Sequence, residues 1–334
     1  MIPSGTRWST LCGNARLKEQ LSAFADADRF PHALLLEGPA GSGKRTAARL
    51  TAQAAVCTAE TARPCGVCEA CRKAEKGIHP DIAVYGGDGG ARSFHIDTVR
   101  ELRESAYVLP NEARRRVILL QNVEAMTEQA QNALLRILEE PPKHLLFLLT
   151  CESRQRLLPT ILSRVQCLET AGVSEEEALP LLKARLPDTP EEELRRALTV
   201  FDGCIGQVLE AMAGDLFPRV IASTRAIGEA LLAGTEWPLL QAAAPLDRDT
   251  ALQDGVLSGL CLLLRDALAA GQGQASRLST APDLASRLAQ TFTGGRLMQA
   301  LGEVQALQKD RLSNMSSPLL ITLLSARLTA ALRD

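Results

Sequence analysis

Five short apolar runs punctuate the first half of the chain: residues 33–37 (ALLLE), 81–85 (DIAVY), 116–121 (RVILLQ), 145–150 (LLFLLT) and 165–168 (VQCL). The middle three lack polar/apolar alternation and are separated by helical patterns, so they predict parallel strands covered on both faces. An α/β fold with a parallel five-stranded sheet follows. The clearest helix covers residues 127–140, TEQAQNALLRILEE: Thr127 caps it, Ala130, Leu134, Ile137 and Leu138 form its apolar face, and Pro141-Pro142 stops it.

Beyond about residue 169 the strand signals end and Ala/Leu-rich amphipathic patterns take over. A first group, VSEEEALPLLKARL and TPEEELRRALTVF, opens each time with Ser or Thr before a run of glutamates, as suits a helix start, and closes near Gly203. A second group begins after Gly214 and includes residues 250–270 and 295–310, with the polar GQGQAS loop between them. Without an internal repeat, three domains are the economical reading: an α/β domain over 1–168, a small helical one over 169–213 and a larger helical one over 214–334. Leu252, Leu257, Leu260, Leu262, Leu263 and Leu264 make residues 250–270 more apolar than one buried stripe demands, which fits a subunit interface or a central helix equally well.

Composition narrows the function classes. A chain of 334 residues buries two or three cores without staples. Its 37 basic and 39 acidic residues give a net charge of -2, which argues against coating nucleic acid by bulk electrostatics. Aromatics at 3% leave few rings on which bases could stack. The N-terminus carries no apolar core of a secretion signal and no stretch approaches a membrane span, so a cytosolic protein without a membrane partner is expected.

Residues 38–45, GPAGSGKR, lie between the strand ALLLE and the helical RTAARLTAQAAV, the context a phosphate-binding loop requires. Gly38, Gly41 and Gly43 let backbone N–H groups turn inward, the helix start adds positive potential, and Lys44 reaches toward outer phosphates. The next position, however, is Arg45, where magnesium binding wants a Ser or Thr hydroxyl. Thr46 is one residue late, a rotation of about 100° on a helix. The strand RVILLQ should end in an acidic pair, yet it ends in Gln121-Asn122, two amides that supply neither a magnesium ligand nor a base. Glu124 lies two to three residues too far on. The pattern predicts a degenerate site that binds ATP or ADP passively, or not at all.

Nine cysteines in a reducing compartment ask for a reason. Cys57, Cys65, Cys68 and Cys71 crowd into CTAETARPCGVCEAC, with gaps of two residues that let sulfurs converge and a fourth thiol from the preceding helix end. Four protein ligands leave no open coordination position, so the expected site is a structural Zn2+ knuckle. His79 follows closely as a substitute ligand, or as part of a His-Pro-Asp turn into the next strand. Cys12, Cys151, Cys167, Cys204 and Cys261 sit among apolar neighbours and read as packing.

Taken in order, the phosphate loop, the four-cysteine insert, the HPD turn, the run AMTEQAQNALLRILEEPP and then ILSRVQC resemble the clamp-loader branch of the AAA+ ATPases. The specific motifs cover residues 1 to about 210; farther on the likeness rests on helical pattern, with RLSNMSSPLLITLLSARL similar to the last helices of the family's collar domain. In that family gamma/tau subunits hydrolyse ATP and the delta-prime subunit does not. Arg45 and Gln121-Asn122 fit the non-hydrolysing type, as does a chain ending at residue 334 without a long tail. The resemblance implies gamma/tau and delta partners within the DNA polymerase III holoenzyme, with the sliding clamp and primer-template DNA reached through the complex.

The resemblance further implies that Arg164, in Ser163-Arg164-Val165, is an arginine finger for the ATP of a neighbouring subunit, although the family's motif ends in cysteine rather than valine. From the residues alone Arg164 could equally form a surface ion pair. Family members that sense their own ATP carry an Arg in a stretch that reads Gly203-Cys204-Ile205-Gly206 here, without a cation. Two other readings stand beside this one. The first is a gamma/tau-type ATPase that uses Thr46 and Glu124 as displaced ligands, and the second is a stand-alone zinc-stabilised binding module.

Overall fold

The computed structural model describes residues 7–86, 96–274, 278–311 and 315–333. Part of the GQGQAS loop and residues 312–314 of the last helical stretch fall outside them. The chain divides into two compact units, residues 1–178 and 179–334.

In the first unit the order is α1 (Ala15–Asp26), β1 (Ala33–Glu37), α2 (Lys44–Val56), α3 (Glu69–Glu75), β2 (Ile82–Tyr85), α4 (Ile96–Tyr107), β3 (Arg116–Leu120), α5 (Glu128–Glu139), β4 (Leu145–Cys151), α6 (Pro159–Leu162) and β5 (Gln166–Glu169). The strands form one sheet in the order β2-β3-β4-β1-β5, and every pairing is parallel. All five strands lie where the apolar runs predict them, but their positions in the sheet differ from their sequence order. Residues 82–85 belong to an edge strand with Val84 exposed, whereas β1, β3 and β4 in the middle are almost wholly buried. DIAVY is thus not covered on both faces as expected. Its continuous apolar character resembles that of an interior strand, and only the crossover order distinguishes them.

Apolar layers cover both faces of the sheet. Leu34, Leu36, Val117, Leu119, Leu146 and Leu148 face one layer with α1 and α2, while Leu35, Ile118, Leu120, Phe147 and Leu149 face the other with α4 and α5. Alternate residues of each strand therefore serve opposite layers. Helix α5 is as predicted. Thr127 Oγ1 accepts the N–H of Ala130 at 3.2 Å, and Ala130, Leu134, Ile137 and Leu138 are buried.

Helix α7 (Glu175–Arg185) spans the division. The second unit holds α8 (Glu191–Val200), α9 (Ile205–Ala213), α10 (Leu216–Leu232), α11 (Glu236–Ala243), α12 (Thr250–Gly271), α13 (Pro282–Thr291), α14 (Gly294–Arg311) and α15 (Ser317–Leu332). Pro190 rather than Thr189 stands at the start of α8, where a preset φ suits the first turn. Helix α12 is the axis of this unit and packs against α10, α13 and α14. Its six named leucines are all buried within the chain, so the apolar excess belongs to a central helix. No helix among the described residues is long and apolar enough to cross a membrane.

Candidate functional site

The phosphate loop sits at the C-terminal end of β1 and passes directly into α2, with Lys44 as the first helical residue. Its glycines are demanded by geometry. Gly38 has φ 153°, and a Cβ there would lie 2.2 Å from Thr170 Oγ1; Gly43 has φ 96°, and a Cβ would meet Leu11 at 2.8 Å. Thr170 closes the loop from β5, since its Oγ1 is 2.6 Å from Ser42 Oγ and its N–H donates to the Glu37 carbonyl at 2.7 Å. Lys44 is buried, and its Nζ donates to the carbonyls of Gly38 and Pro39 at 2.6 and 2.7 Å. The ammonium thus lies across the loop's own backbone. Arg45 is half-buried in the first turn of α2, and Thr46 is exposed.

The ends of β3 and β4 face this loop in register. Gln121 is buried, and its N–H donates to Tyr85 O at 2.9 Å. Asn122 turns left-handed (φ 57°), and its N–H donates to Thr150 Oγ1 at 3.1 Å. Thr150, a buried hydroxyl closing an otherwise apolar run, was not singled out in the sequence; a lone polar residue ending LLFLLT is the signal it offers. Glu124 follows in a single 3-10 turn, Val123–Ala125. One carboxylate oxygen accepts the Glu152 N–H at 2.9 Å, while Oε2 is buried without a hydrogen-bond partner. Burial raises its pKa despite the field of Lys44.

The four cysteines converge. Cys57 ends α2, Cys68 caps α3, and Cys65 and Cys71 complete a group whose sulfurs all lie within 4.8 Å of one another. The Cys57–Cys68 and Cys65–Cys71 sulfur separations are 4.0 and 3.9 Å. A tetrahedral zinc with bonds of about 2.3 Å would space its sulfurs about 3.8 Å apart, so the four thiols fit such an ion. Backbone N–H groups of Cys65, Cys68 and Cys71 point at the sulfurs of Cys57, Cys65 and Cys68 at 3.5, 3.4 and 3.3 Å. Those donors favour thiolates. The hydrogen bond from Cys71 and the N–H of Cys65 outweigh burial and lower the pKa of the Cys57 thiol, while Cys71, which holds the shared proton, is pushed up.

Contacts beyond the sulfurs fix the knuckle in place. Gln53 of α2 donates to Cys71 O at 2.8 Å, and the Trp8 indole donates to Arg63 O at 2.8 Å. Arg63 pairs with Asp28, which also faces Arg114 and Arg115. Burial opposes the charge on Asp28, but the guanidinium groups outweigh it and lower its pKa. His79 lies outside the sulfur cluster. It is buried, its Nδ1 accepts the Asp81 N–H at 3.1 Å, and Asp81 in turn accepts the N–H groups of Asn111, Glu112 and Ala113. The His-Pro-Asp segment is therefore a structural turn between the knuckle and β2.

Arg164 follows α6 at the opposite edge from β2, just before β5. Its Nη2 lies 2.8 Å from Glu139 Oε1, and its Nη1 donates to Thr160 O at 2.8 Å and Ser163 Oγ at 3.1 Å. The side chain stays one-third exposed. The stretch Gly203 to Gly206 forms a glycine turn (φ 70° at Gly203) opening α9, with Cys204 buried. Of the remaining cysteines, Cys151, Cys204 and Cys261 are buried, while Cys12 and Cys167 are half-buried.

A parallel sheet carrying a glycine loop and lysine between β1 and α2 defines a P-loop α/β protein. Residues 13–173 match the family described as DNA polymerase III, delta subunit. The chain resembles the delta-prime type of clamp-loader subunit. It is 29% identical to DNA polymerase III subunit delta' of Escherichia coli over 93% of this chain and 92% of that one. Against subunit delta' of Pseudomonas aeruginosa it is 39% identical over 59% of this chain and 56% of the relative. Subunit gamma/tau of Mycobacterium bovis is 37% identical over 47% of this chain, and the match spans only 27% of that relative's length.

Proposed function

We propose that this chain is a non-hydrolysing, delta-prime-type subunit of a bacterial clamp loader, working in the cytoplasm. In this reading it assembles with gamma/tau and delta subunits, and the assembly places the sliding clamp on primed DNA. The observation that carries the reading is Gln121-Asn122 at the end of β3, beside a loop whose lysine is followed by Arg45. Phosphoryl transfer depends on positioning and charge neutralisation, and a divalent cation has no hydroxyl or carboxylate to hold it at those positions. Lys44 on its own loop carbonyls is consistent with a pocket that holds nucleotide passively or lacks it.

Within the assembly Arg164 supplies its guanidinium to ATP on a neighbouring subunit, where a cation offered in trans stabilises the charge of the transferring phosphoryl group. Cys57, Cys65, Cys68 and Cys71 hold a structural zinc, which ties the end of α2 to α3 and contributes folding energy. Residues 169–213 serve as a lid and residues 214–334 as an oligomerising collar.

The 37% identity with a gamma/tau subunit keeps an active ATPase in view as the competing reading. Glu124, bonded through one oxygen to the Glu152 N–H and enclosed at the other, is poorly placed to serve as a displaced ligand. Reconstitution decides the matter. With gamma/tau and delta partners, Arg164→Ala is expected to lower the ATPase of the complex, while the isolated chain shows none. Unchanged turnover in the Arg164→Ala complex removes the finger.

A further inference from the structure

Arg164 is held by more than its own loop. The contacts of its guanidinium among the described residues are two on Nη1, to Thr160 O and Ser163 Oγ, and one on Nη2, to the carboxylate of Glu139. A guanidinium has five N–H donors, so these three bonds fix its plane and leave two for an incoming oxyanion. The two contacts on Nη1 come from the same short segment as Arg164 itself. Glu139 is the contact from another element, the last residue of α5.

Helix stability does not account for an acid at that point. The C-terminal turn carries the negative end of the helix dipole, which disfavours a carboxylate there. Nor does the pair do much for folding, since both side chains are substantially exposed, Arg164 by 33% and Glu139 by 48%. Its consequence is orientation. A long, rotamer-rich side chain at a subunit edge reaches a phosphoryl group efficiently only when its direction is fixed beforehand.

We infer that Glu139 is a positioning residue, a carboxylate that aims the Arg164 guanidinium at the neighbouring subunit's nucleotide. This rests on the finger reading above and adds to it the residue that makes the finger ready before the subunits meet. Acting only through Arg164, Glu139 has no effect of its own once the arginine is gone.

The test is a double-mutant cycle on the reconstituted complex of this chain with gamma/tau and delta subunits, reading steady-state ATPase against ATP concentration. Glu139→Ala should remove most of the turnover that Arg164→Ala removes, with the half-saturating ATP concentration unchanged. The double variant should fall no lower than Arg164→Ala alone. Glu139→Gln, which keeps an acceptor oxygen without the charge, should recover part of the loss. Thermal melts of the single chains, expected to be unchanged, separate this from damage to the fold. If Arg164→Ala itself leaves turnover intact, the finger reading fails and takes this inference with it. If Arg164→Ala lowers turnover while Glu139→Ala does not, or if the two losses multiply in the double variant, the finger stands and the positioning role is overturned.

Discussion

The backbone N–H of Asn122 donates to the side-chain oxygen of Thr150 at 3.1 Å, which pins the end of β3 to the end of β4 at the level of the phosphate loop. The backbone frame of a nucleotide site is thus in place, and its side chains are what differ. Gln121 and Asn122 put amides at the end of β3, and the Glu124 carboxylate that follows is bonded to the Glu152 N–H with its other oxygen enclosed.

That carboxylate gives a pH-dependent prediction. Burial raises the pKa of Glu124 in the folded chain, so the folded state binds its proton more tightly than the unfolded state does. The associated stability is complete below the unfolded value of about 4.3 and is lost as pH rises through the folded value. Glu124→Gln should therefore raise the melting temperature at neutral pH and leave it nearly unchanged near pH 4. Equal shifts at both pH values would show that ionisation plays no part.

Asp81 should behave in the opposite sense. Burial resists its charge, but the N–H groups of Asn111, Glu112 and Ala113 at 2.6, 2.8 and 2.8 Å outweigh that and lower its pKa. Its contribution is present above the unfolded value of about 3.9 and drains away as pH falls through the folded one. Asp81→Ala, which strands three backbone donors, should cost about 3 kcal/mol or more at pH 7 in denaturant unfolding. The difference from the unaltered chain should shrink in acid.

The knuckle predicts about one zinc per chain in metal analysis of protein purified without chelator. Chelation, or Cys68→Ser, should lower the melting temperature and open the α2 to α3 connection to protease. A chain that carries no zinc and melts at the same temperature with and without chelator would remove the metal from the account.

In the second unit, Gly228 of α10 leaves no room for a methyl group. A Cβ there would lie 2.7 Å from both Leu263 of α12 and Leu284 of α13. Overpacking of this kind costs about 1–3 kcal/mol, against a helix-propensity gain of about 1 kcal/mol for replacing glycine by alanine. Gly228→Ala should be net destabilising by chemical denaturation, whereas Gly302→Ala in α14, with open space around the added Cβ, should not.

Much of the first unit was legible because its signals are local. Apolar runs, the Thr127 cap and the cysteine spacing depend on neighbouring residues, and the chain folds as they indicate. Sheet order is not local. DIAVY reads like an interior strand, and its edge position follows from crossovers that no window of sequence contains. The partners of candidate site residues were hidden for the same reason. Thr170 closing onto Ser42, Thr150 receiving Asn122 and Glu139 meeting Arg164 join positions 128, 28 and 25 residues apart, and only the fold brings them together.

Nucleotide binding and hydrolysis, measured together on the isolated chain with magnesium present, test the silent site most directly. The chain should show no turnover, whether or not ATP or ADP binds, and Lys44→Ala should leave that rate unchanged. Magnesium-dependent hydrolysis abolished by Lys44→Ala would contradict this and make the chain a working ATPase.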